Sequence, residues 1–192
     1  MLVKLVLVSF LCVAVMAATA SPAAAADNPT IVVETSMGSF EIELYADKAP
    51  KTVANILGYV EDKFYDGLVF HRVIPTFMVQ GGGLNSKLEK KETKKAIVNE
   101  SANGLSNKRG TVAMARTNVA DSATSQFFVN TVDNDFLDRA NAKDEVGYCV
   151  FGKVTKGMDV VDKIKDVKTE TRSGTPNVPV EDVTIKSVKV KK

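Results

Sequence analysis

The residues best suited to chemistry in this chain lie in segment 70–83, where an arginine sits between large apolar side chains. At the two-residue period of a β-strand, Phe70, Arg72 and Ile74 share one face. A guanidinium among apolar neighbours is costly to bury unless it is paired. After Pro75-Thr76 come an aromatic residue, a thioether and a glutamine, and then three glycines. The segment therefore predicts an apolar pocket with one fixed cation at its floor.

Other kinds of catalytic site do not fit the residues present. His71 is the only histidine, and with so few cysteines it cannot complete a usual zinc cage. No G-x-S-x-G motif occurs, and Gly81 to Gly83 lack the spacing of a phosphate-binding loop. We therefore expect no metal and no cofactor. We interpret His71 as a pocket-wall residue, with acid–base catalysis as the alternative.

The first 26 residues have the pattern of a signal peptide. Lys4 supplies the positive charge, residues 5–17 are uncharged and mostly apolar, and small residues end in Ala24 to Ala26. The apolar run is short for a membrane-spanning helix, so a retained anchor is the alternative. We expect cleavage after Ala26 and export, to the periplasm in a Gram-negative host and to the medium in others.

Cleavage would leave one domain, residues 27–192. That length suits a single full core. The net charge of +2 for the whole chain falls to +1 without Lys4, which argues against a general nucleic-acid binder. Cys149 would be the only remaining cysteine, so no intrachain disulfide can form. Its apolar neighbours indicate a buried structural thiol.

The hydrophobic periodicity predicts many short strands and two helices. Residues 30–36 and 39–45 alternate as in a β-hairpin, and helical stripes run through 50–60 and 157–167. Besides the segment around Arg72, strands are predicted at 97–100, 111–116, 125–130, 147–154 and 183–190. This pattern indicates a mainly β protein, with a closed antiparallel barrel and helices packed over its open ends.

Two polar segments are predicted to be loops. Residues 84–96 are rich in lysine, and residues 172–179 contain glycine, proline and asparagine. The lysines of 87–95 could instead form a polyanion-binding patch, but Glu89 and Glu92 interrupt them.

Three further segments carry polar and aromatic residues at strand spacing: 110–116, 124–130 and 136–138. In the second, alternation places Gln126 and Phe128 on one face and Phe127 on the other. Taken alone, this segment is equally well explained as a strand with a core phenylalanine on each side.

Together these motifs resemble the cyclophilin-type peptidyl-prolyl cis-trans isomerases. The resemblance rests on the motif F-H-R-V-I-P-x-F-M-x-Q-G-G, followed by G-x-x-A-M-A, S-Q-F-F, F-L and V-F-G-K-V. The resemblance runs from about residue 30 to 190, and Gly147-Tyr148 with the short loops is similar to the bacterial exported branch. It implies an eight-stranded barrel capped by two helices and an enzyme that rotates X-Pro peptide bonds.

The resemblance also implies residue roles. Arg72 would be the catalytic arginine, held in place by Gln80, and the main chain of Ala115 and Arg116 would hold the substrate. The full set of implied substrate-binding residues is His71, Phe77, Met78, Gln80, Ala115, Arg116, Gln126, Phe128, Phe136, Leu137 and Tyr148. The implied partners are proline-containing polypeptides bound by a monomer, without nucleic acid and without membrane association after signal cleavage.

Four positions depart from the common family pattern. Phe136 stands where many eukaryotic members have tryptophan, so cyclosporin is expected to bind weakly. Tyr148 replaces histidine, and Arg116 replaces asparagine, which leaves the role of its side chain open. Thr76 replaces glycine, and it would be strained if the backbone there needed a positive φ.

The implied activity agrees with the chemistry of these residues. Amide resonance opposes rotation with a barrier of roughly 18–20 kcal/mol. A donor near the prolyl nitrogen stabilises the twisted state, and Arg72 can donate without changing its protonation state. The alternative function is a binding module that uses the same pocket as a chaperone or scaffold, with incidental turnover.

Overall fold

The computed structural model describes residues 28–192. The elements follow one another as β1 Thr30–Thr35, β2 Gly38–Leu44, α1 Pro50–Glu61, β3 Phe70–Ile74, β4 Met78–Gly81, β5 Thr111–Met114, β6 Phe127–Asn130, β7 Val150–Lys156, α2 Met158–Lys165, β8 Thr169–Arg172, β9 Thr175–Pro179 and β10 Ile185–Val190. Within this range we find no helix with the length and apolar character needed to cross a membrane. The predicted signal peptide lies outside the described residues.

Eight strands form one antiparallel sheet in the order β10-β1-β2-β7-β5-β6-β4-β3. The sheet curls until its edges meet. There Phe70 N–H donates to the Val183 carbonyl at 2.9 Å, and Ile185 N–H donates to the Leu68 carbonyl at 2.7 Å. The predicted mainly β, eight-stranded antiparallel barrel with two helices is confirmed. Its seam is a short bridge rather than a full strand ladder.

Successive residues of the strands alternate between two apolar clusters. Val79, Val112 and Val129 belong to the main core inside the barrel, whereas their neighbours belong to a smaller cluster on the outer face of the sheet. That outer cluster consists of Met78, Ala113, Phe128, Leu137 and Val150. Because strand side chains alternate between faces, one short segment such as β6 contributes to both clusters.

A β-bulge at His71 changes the predicted facing of the signature strand. Phe70 pairs with Gly81 and Arg72 pairs with Gln80, so His71 is an extra residue on its strand. Phe70 accordingly belongs to the inner core, while Ile74 packs on the outer cluster. The prediction that Phe70, Arg72 and Ile74 share one face is therefore wrong, because an added residue reverses the alternation.

The helices begin and end close to the predicted bounds, and both ends of α1 are stabilised by residues from distant parts of the chain. Pro50 opens α1, as expected for a residue without an amide hydrogen. The carboxylate of Glu100 accepts the amide hydrogens of Lys51 at 3.2 Å and Thr52 at 2.8 Å. At the other end, Lys94 donates to the Gly58 carbonyl at 3.1 Å. A remote anion and a remote cation thus complement the helix dipole.

One predicted loop and one predicted strand differ from the structure. Residues 172–179, predicted as a loop, lie largely in the β8–β9 hairpin. The predicted strand 97–100 is reduced to a single bridge between Ile97 and Ala123. Residues 84–96 form a largely exposed connection, as predicted.

Candidate active site

A row of paired residues crosses five neighbouring strands on the outer face of the sheet. Arg72 lies opposite Gln80, Gln80 opposite Phe128, Phe128 opposite Ala113, and Ala113 opposite Val150. The row begins with a cation and an amide and ends in apolar side chains. Strand register, rather than closeness in sequence, therefore brings the predicted cation to the edge of an apolar surface.

The apolar part of the site, called the pocket below, is the outer cluster together with the side chains that pack against it, and its floor is buried. Met78, Phe128 and Leu137 are each less than 8% exposed, and Phe77, Ala115 and Tyr148 are among the half-buried residues that pack against this cluster. Most of the residues predicted to form the pocket thus converge in the structure.

Aromatic contacts shape two walls of the pocket. The ring of Tyr148 meets Phe128 edge-on, with centroids 5.8 Å apart. The ring of Phe136 stacks on Phe77 at 5.6 Å, yet Phe136 is 57% exposed. Phe136 therefore lies at the rim, where a bound ligand could cover it.

A chain of amide hydrogen bonds holds Arg72. Its Nη1 lies 3.4 Å from Oε1 of Gln80, and Nε2 of Gln80 donates to Oε1 of Gln126 at 2.9 Å. The guanidinium carbon lies 5.8 Å from the centroid of Phe77. These contacts hold the guanidinium between the Gln80 amide and the Phe77 ring at the mouth of the pocket. Some of its N–H groups are still free to donate.

The charge of Arg72 has no carboxylate partner within residues 28–192. By contrast, Arg109 pairs with Asp162 and Arg172 pairs with Asp182. Because neutral amides orient Arg72, its positive charge is not cancelled locally.

Gly83 makes the position of Gln126 possible. A Cβ atom at Gly83 would lie 2.5 Å from Nε2 of Gln126 and 2.7 Å from its Cδ. Since real side chains do not approach so closely, only glycine permits Gln126 to reach Gln80 here.

A buried asparagine network beneath Phe77 was not found from the sequence. Nδ2 of Asn134 donates to the Phe77 carbonyl at 2.8 Å and to Oδ1 of Asn130 at 2.7 Å. Asn130 in turn donates to Oγ1 of Thr111 at 2.9 Å. Asn130 and Asn134 are no more than 1% exposed, so the network fixes the backbone that carries Phe77. In the sequence, Asn130 ends a predicted strand and Asn134 looks like an ordinary turn residue, so local pattern does not pair them.

A second polar cluster fixes the turn that carries Phe136 and Leu137. Oδ1 of Asp138 accepts the backbone N–H of Asn107 at 2.6 Å and its Nδ2 at 2.9 Å. Ser106 also hydrogen-bonds to this carboxylate. The turn is thereby tied to a segment 31 residues earlier in the chain.

The surroundings of His71 favour the uncharged form of its imidazole. It is only 6% exposed, and burial lowers its pKa to about 4, with a smaller lowering from the nearby charge of Arg72. Its Nδ1 has no hydrogen-bond partner within the described residues. At neutral pH the imidazole is therefore uncharged, which agrees with a structural role better than with an acid.

Cys149 is buried, as predicted. It is 3% exposed and lies in the main core, where burial raises the pKa of its thiol to about 11. A thiol with so high a pKa carries almost no thiolate at neutral pH. Within residues 28–192 no three potential ligands cluster as a metal site would require.

The structure accommodates two of the residues that depart from the family pattern, Thr76 and Arg116. Thr76 is not among the residues with positive φ, so its backbone is unstrained. The N–H of Ala115 donates to the Gln126 carbonyl at 2.9 Å, which fixes the strand end next to Arg116. The side chain of Arg116 points toward Gly147, whose carbonyl accepts a hydrogen bond from Nε of Arg116.

The cyclophilin-type peptidyl-prolyl cis-trans isomerase/CLD family model matches residues 30–190. A peptidyl-prolyl cis-trans isomerase of Acinetobacter baylyi is 52% identical over 164 residues, covering 85% of this chain and 86% of the relative. Peptidyl-prolyl cis-trans isomerase A of Dickeya dadantii is 51% identical over 180 residues, covering 93% and 94%.

A solved structure shares the fold. It is a cyclophilin-type isomerase of Cryptosporidium parvum with a TM-score of 0.69 at 21% identity, covering 86% of this chain and 98% of that one. With the family match over nearly all described residues and relatives above 50% identity, the chain belongs to the cyclophilin-type peptidyl-prolyl cis-trans isomerase family.

Proposed function

We propose that this peptidyl-prolyl cis-trans isomerase acts on exported polypeptides during their folding, with Arg72 as the catalytic donor. The observation that carries the catalytic assignment is an uncompensated guanidinium held by neutral amides at the mouth of an apolar pocket. Among residues 28–192, no other arginine lies in the cross-strand row.

The physical demand of the reaction matches this arrangement. As an X-Pro bond twists, the prolyl nitrogen loses conjugation and its lone pair becomes a hydrogen-bond acceptor. A donor placed there stabilises the twisted state more than the planar one, and that difference lowers the barrier. Arg72 stays protonated throughout, so the reaction needs no proton transfer and no covalent intermediate.

The pocket supplies the second requirement, which is to hold one side of the bond still. The proline ring would rest against Met78, Phe128 and Leu137, whose apolar side chains belong to one cluster. The carbonyl on the other side is then free to swing. Water excluded from this surface also strengthens the interaction between Arg72 and the nitrogen.

The part of the substrate preceding proline would be held next to this pocket. The main chains of Ala115 and Gln126 are paired, since the Ala115 N–H donates to the Gln126 carbonyl. Gln126 thus contacts Ala115 through its main chain and Gln80 through its side chain, and Gln80 in turn orients Arg72.

Export is supported by the sequence of residues 1–26 alone. Its charged start, apolar middle and small-residue end favour cleavage before Asp27. We place the mature protein in the periplasm of a Gram-negative host, or outside the cell in other hosts. N-terminal sequencing of the exported protein should begin at Asp27, whereas a membrane-bound form starting at Met1 would contradict the proposal.

The catalytic assignment is tested by comparing Arg72→Ala with Arg139→Ala in a protease-coupled isomerisation assay. Arg139 is an exposed arginine near the site, outside the cross-strand row. Loss of one preorganised donor should lower kcat/KM by about a hundredfold or more in Arg72→Ala, while Arg139→Ala should resemble the wild type. Circular dichroism should show that both variants are folded. Near-normal turnover in folded Arg72→Ala would refute the assignment.

A further inference from the structure

The side chain of Arg116 is almost completely buried, with only 3% of it exposed. Its Nε donates to the Gly147 carbonyl at 3.0 Å, and its Nη1 donates to the Thr117 carbonyl at 2.9 Å. Its Nη2 pairs with the carboxylate of Asp144. The three nitrogens of the guanidinium therefore each have a partner within the protein.

The same guanidinium packs against Tyr148. Its carbon lies 4.5 Å from the centroid of the Tyr148 ring, and the same ring lies at 75° to the ring of Phe128 on the pocket floor. Tyr148 is thus held between a cation and the pocket. A cation over an aromatic face is attracted by the ring's quadrupole, and more strongly where water is excluded.

Hydrogen bonds to the Asp144 carboxylate hold the segment 144–148 in its shape. The Asp144 carboxylate also accepts the N–H groups of Val146 and Gly147, both at 3.1 Å. Together with Arg116, these donors lower the pKa of Asp144 to about 2, so the ion pair persists at physiological pH. Gly147 has a φ of +68°, and a side chain there would collide with the backbone of Arg139.

We infer that the side chain of Arg116 has a positioning role: it clasps segment 144–148 and holds Tyr148 as a wall of the proline pocket, and this side chain does not touch the substrate. The inference rests on the proposed function of that pocket. The arginine's fork geometry, and not merely its charge, is what the clasp requires, because three acceptors lie in different directions. Substrate selectivity at this edge is consequently apolar, and an acidic side chain before proline gains nothing from Arg116.

The distinguishing variants are Arg116→Lys and Arg116→Met, with Arg172→Lys as the matched control. Arg172, at the end of β8, likewise pairs with two carboxylates, those of Glu170 and Asp182. Both Arg116 variants should raise the KM for a short X-Pro peptide about tenfold, because an aromatic wall is lost, while kcat stays within about twofold. If lysine restores the wild-type KM and methionine does not, the charge acts on the substrate directly and the inference is wrong.

Asp144→Asn keeps the experiment informative if an Arg116 variant does not fold, because Asp144 lies at the surface with 44% of its side chain exposed. It should also raise KM, and adding it to Arg116→Met should have little further effect, since both changes open one clasp. Additive effects, or a wild-type KM in Asp144→Asn and in folded Arg116 variants, would overturn the inference.

Fluorine NMR of protein containing 3-fluorotyrosine separates this inference from the proposed function. The chain has four tyrosines, and the signal missing in Tyr148→Phe identifies Tyr148. In Arg116→Met this signal should move toward that of an exposed tyrosine without peptide present, while the other three signals stay in place. Absence of isomerase activity in the wild type would refute the proposed function, and an unmoved Tyr148 signal would refute the clasp.

Discussion

Lowering the pH from 8 to 5.5 should destabilise this protein through one side chain, His71. It is the only histidine in the chain, and burial lowers its folded-state pKa to about 4. An unfolded chain should have the ordinary histidine pKa of about 6.5. Because the folded pKa lies below the unfolded one, the unfolded state binds the proton first as pH falls. Stability is therefore fully present above about pH 6.5 and declines as the pH falls toward 4.

The expected loss follows from the two pKa values. At pH 5.5 about nine-tenths of unfolded molecules carry the proton on His71, whereas only a few per cent of folded molecules do. Proton linkage then lowers the free energy of unfolding by about 1.4 kcal/mol relative to pH 8. The carboxylates with resolved shifts, such as Asp133 and Asp144, have lowered pKa values and titrate below this window.

Urea denaturation at the two pH values measures this loss. The wild-type midpoint should fall with an unchanged slope, and His71→Gln should show almost no difference between pH 8 and 5.5. Comparing the two pH values within each variant removes any change in absolute stability that the substitution causes. Equal stability of the wild type at both pH values, or the same fall in His71→Gln, would show that His71 is not the buried neutral group inferred here.

Two further predictions concern the pocket rim and the amide chain. Phe136→Trp should tighten cyclosporin binding on the order of tenfold, because the indole adds an N–H donor and more apolar surface at an exposed rim position; calorimetry would detect this, and equal affinities would contradict it. Gly83→Ala should displace Gln126, break its bond to Gln80 and lower kcat/KM about tenfold at nearly unchanged thermal stability. Gly58→Ala, where an added Cβ meets only the flexible end of Lys94, is the matched control and should keep wild-type turnover.

Local patterns were sufficient to predict most of the elements and the kind of chemistry. Alternation and turn residues predicted the first hairpin, and Pro50 predicted the start of α1. These signals depend on residues close together in the chain, where side-chain period and backbone restraint act directly. The placement of Arg72 among apolar residues, without an adjacent acid, indicated a site that uses a fixed cation. The resemblance to a known family then gave the particular reaction.

The arrangement of the site depended on contacts between distant residues. Gln80 and Gln126, which orient Arg72, are 46 positions apart, and Arg116 finds Asp144 across 28. The bulge at His71 reversed the facing predicted for Phe70. None of these features follows from local periodicity, because strand register and the burial of polar groups are settled by the packing of the whole barrel. The sequence alone therefore determined which residues could do the chemistry, and the tertiary structure decided which of them meet.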